Sequence, residues 1–327
     1  MQSKHLLAED YQDTKRFEEP DALSQLCLND DERLKEQLRI LDARQREEDE
    51  RGVQPDEHWV AEGYGEQPAV DLYVYRPQSA LAEALPVLYF MHCGGYLLGH
   101  AREYGEHLFQ LAEEHKAVLV SVEYRTARIA PYPADLNDAY HGLRYLWDNA
   151  ERLGLDTKRF VLFGESAGGG LAARLALKVR DEGEIDLAGQ VLIYPMLDCR
   201  TGSSEQPKAP YTGEFFWNET LNQLGWKTLR AEQTLSPQEL AYFSPSLATN
   251  LSALPPTFIM CGTLDLFAQE SLDYAKRLHA SGVPCDMLLI SGVYHSFEYI
   301  KPQSPQSALY TQARQLAVRR MFLNPSD

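Results

Sequence analysis

The strongest chemical signal in the sequence is a serine held between glycines. Residues 160–170 read FVLFGESAGGG, so an apolar strand runs into a G-x-S-x-G turn and then into an amphipathic helix that begins near Leu171. Such a turn needs small residues, because the backbone at the serine is strained and Gly164 and Gly168 allow neighbouring chains to approach closely. The turn raises the hydroxyl group of Ser166 above the sheet edge, beside a helix N-terminus that favours developing negative charge. The pattern predicts that Ser166 is a nucleophile.

A serine hydroxyl group is a weak nucleophile, so a general base has to lie beside it. Two histidines follow the long central insertion of the chain, His279 and His295. His279 lies in a charged helical run, where an exposed histidine is ordinary. His295 lies in a loop directly after an apolar run at 287–290. We therefore predict that His295 is the base.

Two aspartates compete for the role of the acid that orients this histidine. Asp198 follows an apolar run at 191–194, and Asp265 follows another at 257–260. Capping a helix is the ordinary role of either residue. Because Asp265 comes one strand before the histidine loop, we predict that it holds the imidazole tautomer and stabilises the imidazolium ion.

Glycines that could bind an oxyanion follow the first apolar strand of the series. Residues 92–96 read His-Cys-Gly-Gly-Tyr, and consecutive glycines let two backbone N–H groups turn inward. Taken alone, this segment could be an ordinary turn. Its position after a buried strand and before the serine turn instead predicts Gly94 and Gly95 as oxyanion donors, with the N–H of Ala167 as a third.

The elements that must position these residues alternate between strands and helices. A period-two pattern over residues 70–75 predicts an edge or antiparallel strand. Short apolar runs predict strands buried on both faces, at 86–91, 117–122, 160–163, 191–194, 257–260 and 287–290. Helical stretches separate them, at 102–115, 135–150, 167–180, 270–281 and 307–323. The alternation predicts an α/β fold with a mostly parallel central sheet flanked by helices.

Two segments lie outside this alternation. Residues 1–60 read as charged helices, with Leu34, Leu38 and Leu41 on one face. About sixty residues separate the strands predicted at 191–194 and 257–260, far more than an ordinary connection. Aromatic residues in this insertion could form a small satellite core or a lid over a substrate pocket.

Composition and charge exclude several classes of protein. The 327 residues are 44% hydrophobic and 24% charged, which is typical of a globular protein and not of a disordered, collagenous or coiled-coil chain. The net charge of −17 argues against nucleic acid or anionic lipid as the main partner, because both would be repelled. Residues 1–60 alone hold 17 acidic and 9 basic side chains, so much of this charge lies outside the predicted catalytic body.

Other sequence features predict a cytoplasmic protein without metal. The chain has no run of 18 apolar residues and no basic-then-apolar start, so we expect neither a membrane span nor a secretory signal. The five cysteines, at 27, 93, 199, 261 and 285, are scattered and lack metal-ligand spacing. Their number and placement favour free thiols in a reducing cytoplasm.

Taken together, the motifs resemble those of the hormone-sensitive-lipase-like branch of α/β-hydrolase esterases. The segment GESAGG at 164–169 resembles the G-D/E-S-A-G-G elbow of that family. The segment HCGG at 92–95 resembles its H-G-G-G oxyanion loop, with Cys93 in place of the middle glycine. Asp265 and His295 fall where the family has its acid and its base.

The resemblance covers most of the chain and implies an α/β-hydrolase fold, a serine mechanism and no metal or cofactor. It also implies a helical cap, formed by residues 1–60 and by the insertion at 199–245. The cap would lie over a catalytic domain of residues 61–198 and 246–327, and the family allows a homodimer.

The substrate implied by the resemblance is a small-molecule ester of a short acyl chain, acetyl esters among them. We expect it to contact aromatic residues near the oxyanion loop and in the cap: Tyr96, Tyr124, Phe215, Phe216 and Trp217. An amide or peptide hydrolase on the same fold is the alternative enzyme. A ligand-binding receptor on an inactive scaffold is the third, although such a protein should have lost the serine, the acid or the base.

Overall fold

An eight-stranded sheet runs through the part of the chain that the computed structural model describes, residues 2–18, 26, 31–79 and 84–323. Its strands are β1 (Glu57–Ala61), β2 (Val70–Tyr75), β3 (Leu85–Met91), β4 (Val118–Val122), β5 (Leu155–Glu165), β6 (Gly189–Ile193), β7 (Thr257–Gly262) and β8 (Cys285–Ile290). They lie in the order β1-β2-β4-β3-β5-β6-β7-β8. Strands β3 to β8 pair in parallel, and only the β1–β2 and β2–β4 pairs are antiparallel. The predicted mostly parallel sheet is confirmed.

Helices flank this sheet, and those at 105–115, 134–148, 167–182, 268–280 and 305–323 lie where the sequence predicts helices. They are α1 (Lys15–Glu18), α2 (Asp31–Asp49), α3 (Gly105–His115), α4 (Ala134–Asp148), α5 (Ala150–Leu153), α6 (Ala167–Glu182), α7 (Glu219–Arg230), α8 (Pro237–Phe243), α9 (Ala268–Ala280), α10 (Phe297–Ile300) and α11 (Pro305–Leu323). Helix α6 packs against β3, β5 and β6, and α11 packs against β5 to β8. Within the described ranges, none of these helices has the length and apolar character needed to cross a membrane.

The sequence pattern does not predict β1, and the contacts of this strand explain why. It pairs only with β2, so its side chains are mostly half-exposed and lack a clear apolar alternation. Trp59 of β1 donates its indole N–H to Glu57 and lies under the guanidinium group of Arg76, at 5.6 Å from the ring. Because β1 covers it, β2 is an inner antiparallel strand and not the edge of the sheet.

Helix α2 lies on the body of the protein through the apolar face that its sequence predicts. Leu34 and Leu38 are buried, and the charged continuation stays helical as far as Asp49. The Oδ2 atom of Asp49 lies 3.0 Å from Nε2 of His100, a fully buried side chain that follows the oxyanion loop. The N-terminal segment is therefore joined to the region of the predicted site.

A buried ion pair fixes helix α6, which begins beside Ser166, against helix α4. Arg174 of α6 donates to both carboxylate oxygens of Asp135, at 2.6 and 3.0 Å, and neither side chain is more than 1% exposed. Its Nε also donates to the carbonyl oxygen of Tyr242 at 2.7 Å. The guanidinium group lies between the rings of Tyr96 and Tyr132, at 5.6 and 5.3 Å. This one side chain thus contacts the oxyanion loop, α4 and the insertion.

Replacing Arg174 by methionine should therefore cost far more stability than replacing an exposed arginine. The change leaves the Asp135 carboxylate buried and unpaired, which typically lowers the free energy of unfolding by about 3–5 kcal/mol. Urea unfolding followed by fluorescence would measure it. Arg39→Met is the matched control, because Arg39 pairs with Glu36 in solvent, and its urea midpoint should stay unchanged. Equal losses for the two variants would contradict this interpretation.

Candidate active site

Ser166 lies at a strained turn between β5 and α6. Its backbone angles are φ 55° and ψ −117°, a region that non-glycine residues rarely occupy. The glycines on either side make this turn possible. A Cβ atom on Gly168 would overlap the carbonyl oxygen of Met91, and one on Gly164 would overlap the carbonyl oxygen of Gly168. The end of β3 and the start of α6 can approach this closely only without side chains between them.

Hydrogen bonds join the three residues predicted to act together. Nε2 of His295 lies 2.9 Å from Oγ of Ser166, and Nδ1 of His295 lies 2.8 Å from Oδ2 of Asp265. The other carboxylate oxygen of Asp265 accepts the N–H of Phe267 at 2.9 Å, which fixes the orientation of the carboxylate. All three side chains are at most 3% exposed. This arrangement is the geometry of a nucleophile, a base and an orienting acid.

The two alternative residues considered on the sequence, Asp198 and His279, have other surroundings in the structure. Asp198 follows β6, and both of its carboxylate oxygens accept hydrogen bonds from the guanidinium group of Arg200, at 2.9 and 2.7 Å. His279 is exposed on helix α9. Among the described residues, only Asp265 therefore has the position that an orienting acid for His295 requires.

The predicted oxyanion loop turns sharply after β3. Gly94 and Gly95 have φ angles of +118° and +62°, which glycine adopts without strain. The carbonyl oxygen of Gly94 accepts the N–H groups of Leu97 and Leu98, both at 3.0 Å, and this closes the turn. Within the described parts of the chain, the N–H groups of Gly94, Gly95 and Ala167 donate to no protein acceptor. They remain free for an oxyanion.

Behind the loop, a stacked pair of rings holds its first residue. The rings of His92 and Tyr124 lie 4.1 Å apart and nearly parallel, and the Tyr124 hydroxyl group donates to the carbonyl oxygen of His92 at 2.8 Å. Burial lowers the pKa of His92 to about 4. The neutral ring donates from Nδ1 to the carbonyl oxygen of Cys93 at 2.7 Å. His92 and Tyr124 therefore support the loop from behind.

Tyr96, another predicted substrate contact, is also a supporting residue in its observed position. Its ring is 1% exposed and lies 5.2 Å from that of Trp226. Its hydroxyl group donates to the carbonyl oxygen of Met196, and a Cβ on Gly170 would overlap that hydroxyl group. The ring contacts of Tyr96 and Tyr124 are with Trp226 and His92, so their predicted contact with substrate rests on the resemblance alone.

Aromatic residues of the insertion cover the site. The rings of Phe216 and Trp217 lie 6.2 and 6.4 Å from the imidazole of His295. The far edge of the Trp217 indole lies directly against Gly95, since a Cβ there would overlap it. The indole N–H is buried and has no hydrogen-bond partner among the described residues. These two side chains therefore lie beside the base and the predicted oxyanion loop.

Phe215, the third predicted lid residue, packs against the N-terminal segment and the histidine loop. Its ring lies 5.6 Å from Phe17 of the N-terminal segment and 5.4 Å from Tyr294 of the histidine loop. Phe17 and Tyr294 are themselves 5.1 Å apart. The three rings join the insertion, the N-terminal segment and the histidine loop, so Phe215 acts as a structural link in the cover.

Sequence reasoning missed residues that support the His295 loop and the turn at Ser166. The ring of Tyr194, the residue after β6, lies 4.5 Å from His295, and its hydroxyl group donates to Glu298 at 2.7 Å. Glu165, beside the nucleophile, accepts the hydroxyl group of Tyr299 at 2.7 Å and lies 3.3 Å from Nε2 of His107. Burial raises the pKa of Glu165, but these two partners outweigh it and lower the pKa overall. The one sequence signal for these residues is the position of Glu165, directly before Ser166 in the G-x-S-x-G motif.

Neither a metal centre nor a disulfide occurs within the described ranges. No group of three or more histidine, cysteine, aspartate or glutamate side chains there is arranged to hold a metal ion. Cys93, Cys199, Cys261 and Cys285 are free thiols, and Cys27 lies outside the described residues. Burial raises the pKa of the Cys93 thiol, which favours the protonated thiol at this position of the oxyanion loop.

Similarity to known proteins extends over most of the chain. A family model with the alpha/beta hydrolase fold matches residues 87–299. The chain is 31% identical to carboxylesterase NlhH of Mycobacterium tuberculosis over 261 residues, which are 79% of this chain and 80% of the relative. It is 31% identical to an ethyl acetate hydrolase of Pseudomonas putida, over 68% of this chain and 70% of the relative.

A solved structure is similar over nearly the whole length. The structure of a bacterial heroin esterase is 30% identical to the chain and has a TM-score of 0.79. The match covers 92% of this chain and 96% of that one.

The contact between Gly95 and Trp217 predicts that Gly95→Ala disables the oxyanion loop. The new methyl group has no space beside the indole and the loop has to shift, so kcat for p-nitrophenyl acetate should fall about 100-fold, as when an oxyanion donor is lost. Stopped-flow or plate-reader kinetics would measure it.

Gly65→Ala is the matched control for this variant. Gly65 also has a positive φ, but nothing lies within 4 Å of a Cβ there, so kcat should not change. Adding Trp217→Leu to Gly95→Ala should restore part of the rate by making space. An unchanged kcat in Gly95→Ala itself would contradict the assignment.

Proposed function

The chain belongs to the hormone-sensitive-lipase-like family of α/β-hydrolase esterases, and we propose that it hydrolyses carboxylic esters of short-chain acids with Ser166 as its nucleophile. The predicted family, fold and hydrolase class are confirmed, and carboxylesterase activity follows from them. The proposal adds the residues that act, the acyl-enzyme intermediate and the size of the acyl group.

The observation that carries the proposal is the continuous hydrogen-bonded chain from Asp265 through His295 to Ser166. An ionised carboxylate accepts hydrogen bonds but has no proton to donate, so Nδ1 of His295 is the donor to Asp265. Nε2 is then unprotonated and accepts from the hydroxyl group of Ser166. This is the tautomer that a general base needs.

Acylation follows from this arrangement. Nε2 of His295 takes the hydroxyl proton while Oγ of Ser166 attacks the ester carbonyl carbon. The free N–H groups of Gly94, Gly95 and Ala167 donate to the oxygen that becomes negative. The tetrahedral intermediate then collapses, the C–O bond to the alcohol breaks, and the alcohol leaves with the proton from Nε2.

Deacylation repeats the same steps with water. Nε2 of His295 takes a proton from a water molecule, which attacks the acyl-enzyme carbonyl carbon. The same three N–H groups stabilise the second oxyanion. The acid leaves, and the proton returns to Oγ of Ser166. No group other than the three side chains and the backbone donors is needed.

The aromatic cover supports a preference for short acyl groups. The rings of Phe216 and Trp217 lie beside His295, and Trp217 lies against the oxyanion loop itself. Ser166 is only 3% exposed under this cover, so a long chain attached to the carbonyl carbon would have to displace an indole ring. The ethyl acetate hydrolase among the relatives bears a name consistent with a small acyl group. The predicted cytoplasmic location, homodimer and domain division stay predictions.

Substituting Asp265, and separately Asp198 as the alternative considered on the sequence, tests the assignment of the acid. Asp265→Asn should lower kcat for p-nitrophenyl acetate by about 10⁴-fold, because the amide favours the wrong imidazole tautomer. Asp198→Asn is the matched control and should keep the wild-type kcat, since Asp198 pairs with Arg200. Initial-rate kinetics on both variants would measure the difference.

Two further results would show whether the assignment of the nucleophile or that of the acid is wrong. Ser166→Ala should abolish both hydrolysis and labelling by a fluorophosphonate probe. Labelling of wild-type protein at another residue would reject Ser166 as the nucleophile. Equal losses in Asp265→Asn and Asp198→Asn, with intact folding by circular dichroism, would reject Asp265 as the acid.

Removing the Trp217 indole should widen the range of acyl chains. In Trp217→Ala, kcat/KM for p-nitrophenyl hexanoate relative to the acetate should rise about tenfold or more, because each buried methylene group can contribute about 1 kcal/mol or more. The control is Trp59→Ala, on the edge strand β1, for which the ratio should stay constant. A constant ratio in Trp217→Ala would show that the indole does not limit acyl length.

A further inference from the structure

A short helix follows the base almost directly. Only Ser296 separates His295 from α10, and its left-handed backbone (φ 58°) turns the chain straight into that helix. The side chain of Ser296 makes no capping hydrogen bond to the helix. The placement of α10 therefore sets where one end of the segment that carries the imidazole lies.

Tyr299 joins α10 to the residue that precedes the nucleophile. Its hydroxyl group donates to Oε2 of Glu165 at 2.7 Å. Glu165 is 1% exposed, and its other carboxylate oxygen lies 3.3 Å from Nε2 of His107. Burial raises the pKa of Glu165, but these two partners lower it overall. The bond from Tyr299 thus ends on a buried, charged acceptor, which makes a stronger hydrogen bond than a neutral one does.

Glu298 provides a second attachment of the same helix. Its Oε1 atom accepts the hydroxyl group of Tyr194 at 2.7 Å. Tyr194 directly follows β6, and the carbonyl oxygen of Ile193 at the end of that strand accepts the N–H of Ser166 at 2.9 Å. Both attachments therefore end on the two paired strands, β5 and β6, that present the serine.

The attachment through Tyr299 closes a ring of contacts that includes the reacting atoms. From Ser166 the ring runs one residue back to Glu165 and across its hydrogen bond to Tyr299. It then follows α10 back to His295, whose Nε2 lies 2.9 Å from Oγ of the serine. A misplacement of about 1 Å at a reacting group can cost about 100-fold in rate, so the dimensions of this ring matter to the chemistry.

We propose that Tyr299 and Glu165 are positioning residues, whose hydrogen bond sets the distance between Nε2 of His295 and Oγ of Ser166. The inference rests on the proposed function, because the distance matters only if these two atoms exchange a proton. Neither positioning residue takes or gives a proton in the reaction. Without their bond, α10 loses one of its two side-chain attachments to the strand ends and can turn about the other.

Tyr299→Phe tests the inference because it removes the hydrogen bond and keeps the ring. Acylation and deacylation both use His295, so kcat for p-nitrophenyl acetate should fall about tenfold while KM stays nearly constant. The matched control is Tyr89→Phe, since the buried hydroxyl group of Tyr89 donates to the carbonyl oxygen of Ala139 in α4 at 2.9 Å. This control should lower the thermal midpoint but not kcat. Initial-rate kinetics and thermal melts would measure both effects.

Two substitutions at Glu165 distinguish the hydrogen bond from the charge. Glu165→Leu removes both and should lower kcat as Tyr299→Phe does. Glu165→Gln keeps an oxygen that can accept the hydroxyl group of Tyr299, so it should recover most of the rate lost in Glu165→Leu. The double variant Glu165→Leu, Tyr299→Phe should be no slower than the slower single variant, because the same bond is lost in each.

Three results would contradict these expectations. Equal kcat values in Tyr299→Phe and Tyr89→Phe, with the wild-type protein active, would overturn the inference and leave the proposed function intact. A rate in Glu165→Gln as low as that in Glu165→Leu would also overturn it, since the charge and not the bond would then matter. Wild-type protein that neither hydrolyses the ester nor is labelled at Ser166 would overturn the proposed function, and this inference with it.

Discussion

The close approach of two backbones at Gly168 is the constraint on which the rest of the site depends. Because no Cβ stands between α6 and the end of β3, the first turn of the helix lies against the carbonyl oxygens of Met91 and His92. The nucleophile and the oxyanion loop thereby share one edge of the sheet. The parallel strands bring the acid and the base to the same edge, since Asp265 and His295 follow the carboxyl ends of β7 and β8. A larger side chain at residue 168 would move the hydroxyl group of Ser166 away from the oxyanion loop.

Backbone strain concentrates around the same edge. Non-glycine residues with positive φ include Tyr96, Ser166, Tyr194, Phe216 and Ser296, all of which belong to segments that contact the candidate triad or the oxyanion loop. Such conformations persist only when the surroundings hold them in place. Here the surroundings include the buried Arg174–Asp135 pair, the stacked His92 and Tyr124 rings, and the packing of Tyr194 on His295. These buried contacts thus hold the triad side chains and the oxyanion loop in position.

The acidic side chains of the chain lie in two different environments. Many of them lie on helix α2 and its surroundings, where they are solvated. Three others, Glu103, Glu165 and Glu298, are buried near the site. Burial raises the pKa of Glu103 and Glu298 to about 8, whereas hydrogen bonds keep the pKa of Glu165 low. Of these three buried carboxyl groups, Glu165 is therefore the one whose partners favour the charged form.

The sequence alone determined the elements and the three residues of the candidate triad, because period, turn chemistry and chain order are local or nearly local properties. The strands ending before Ser166, Asp265 and His295 could be read from short apolar runs. Strand order already favoured Asp265 over Asp198, and the tertiary structure supplies the geometric reason, because Asp265 meets His295 whereas Asp198 pairs with Arg200. It also separated Phe216 and Trp217, which face His295, from Tyr96 and Tyr124, which support the loop. Side-chain direction depends on packing between distant segments, and no local pattern encodes it.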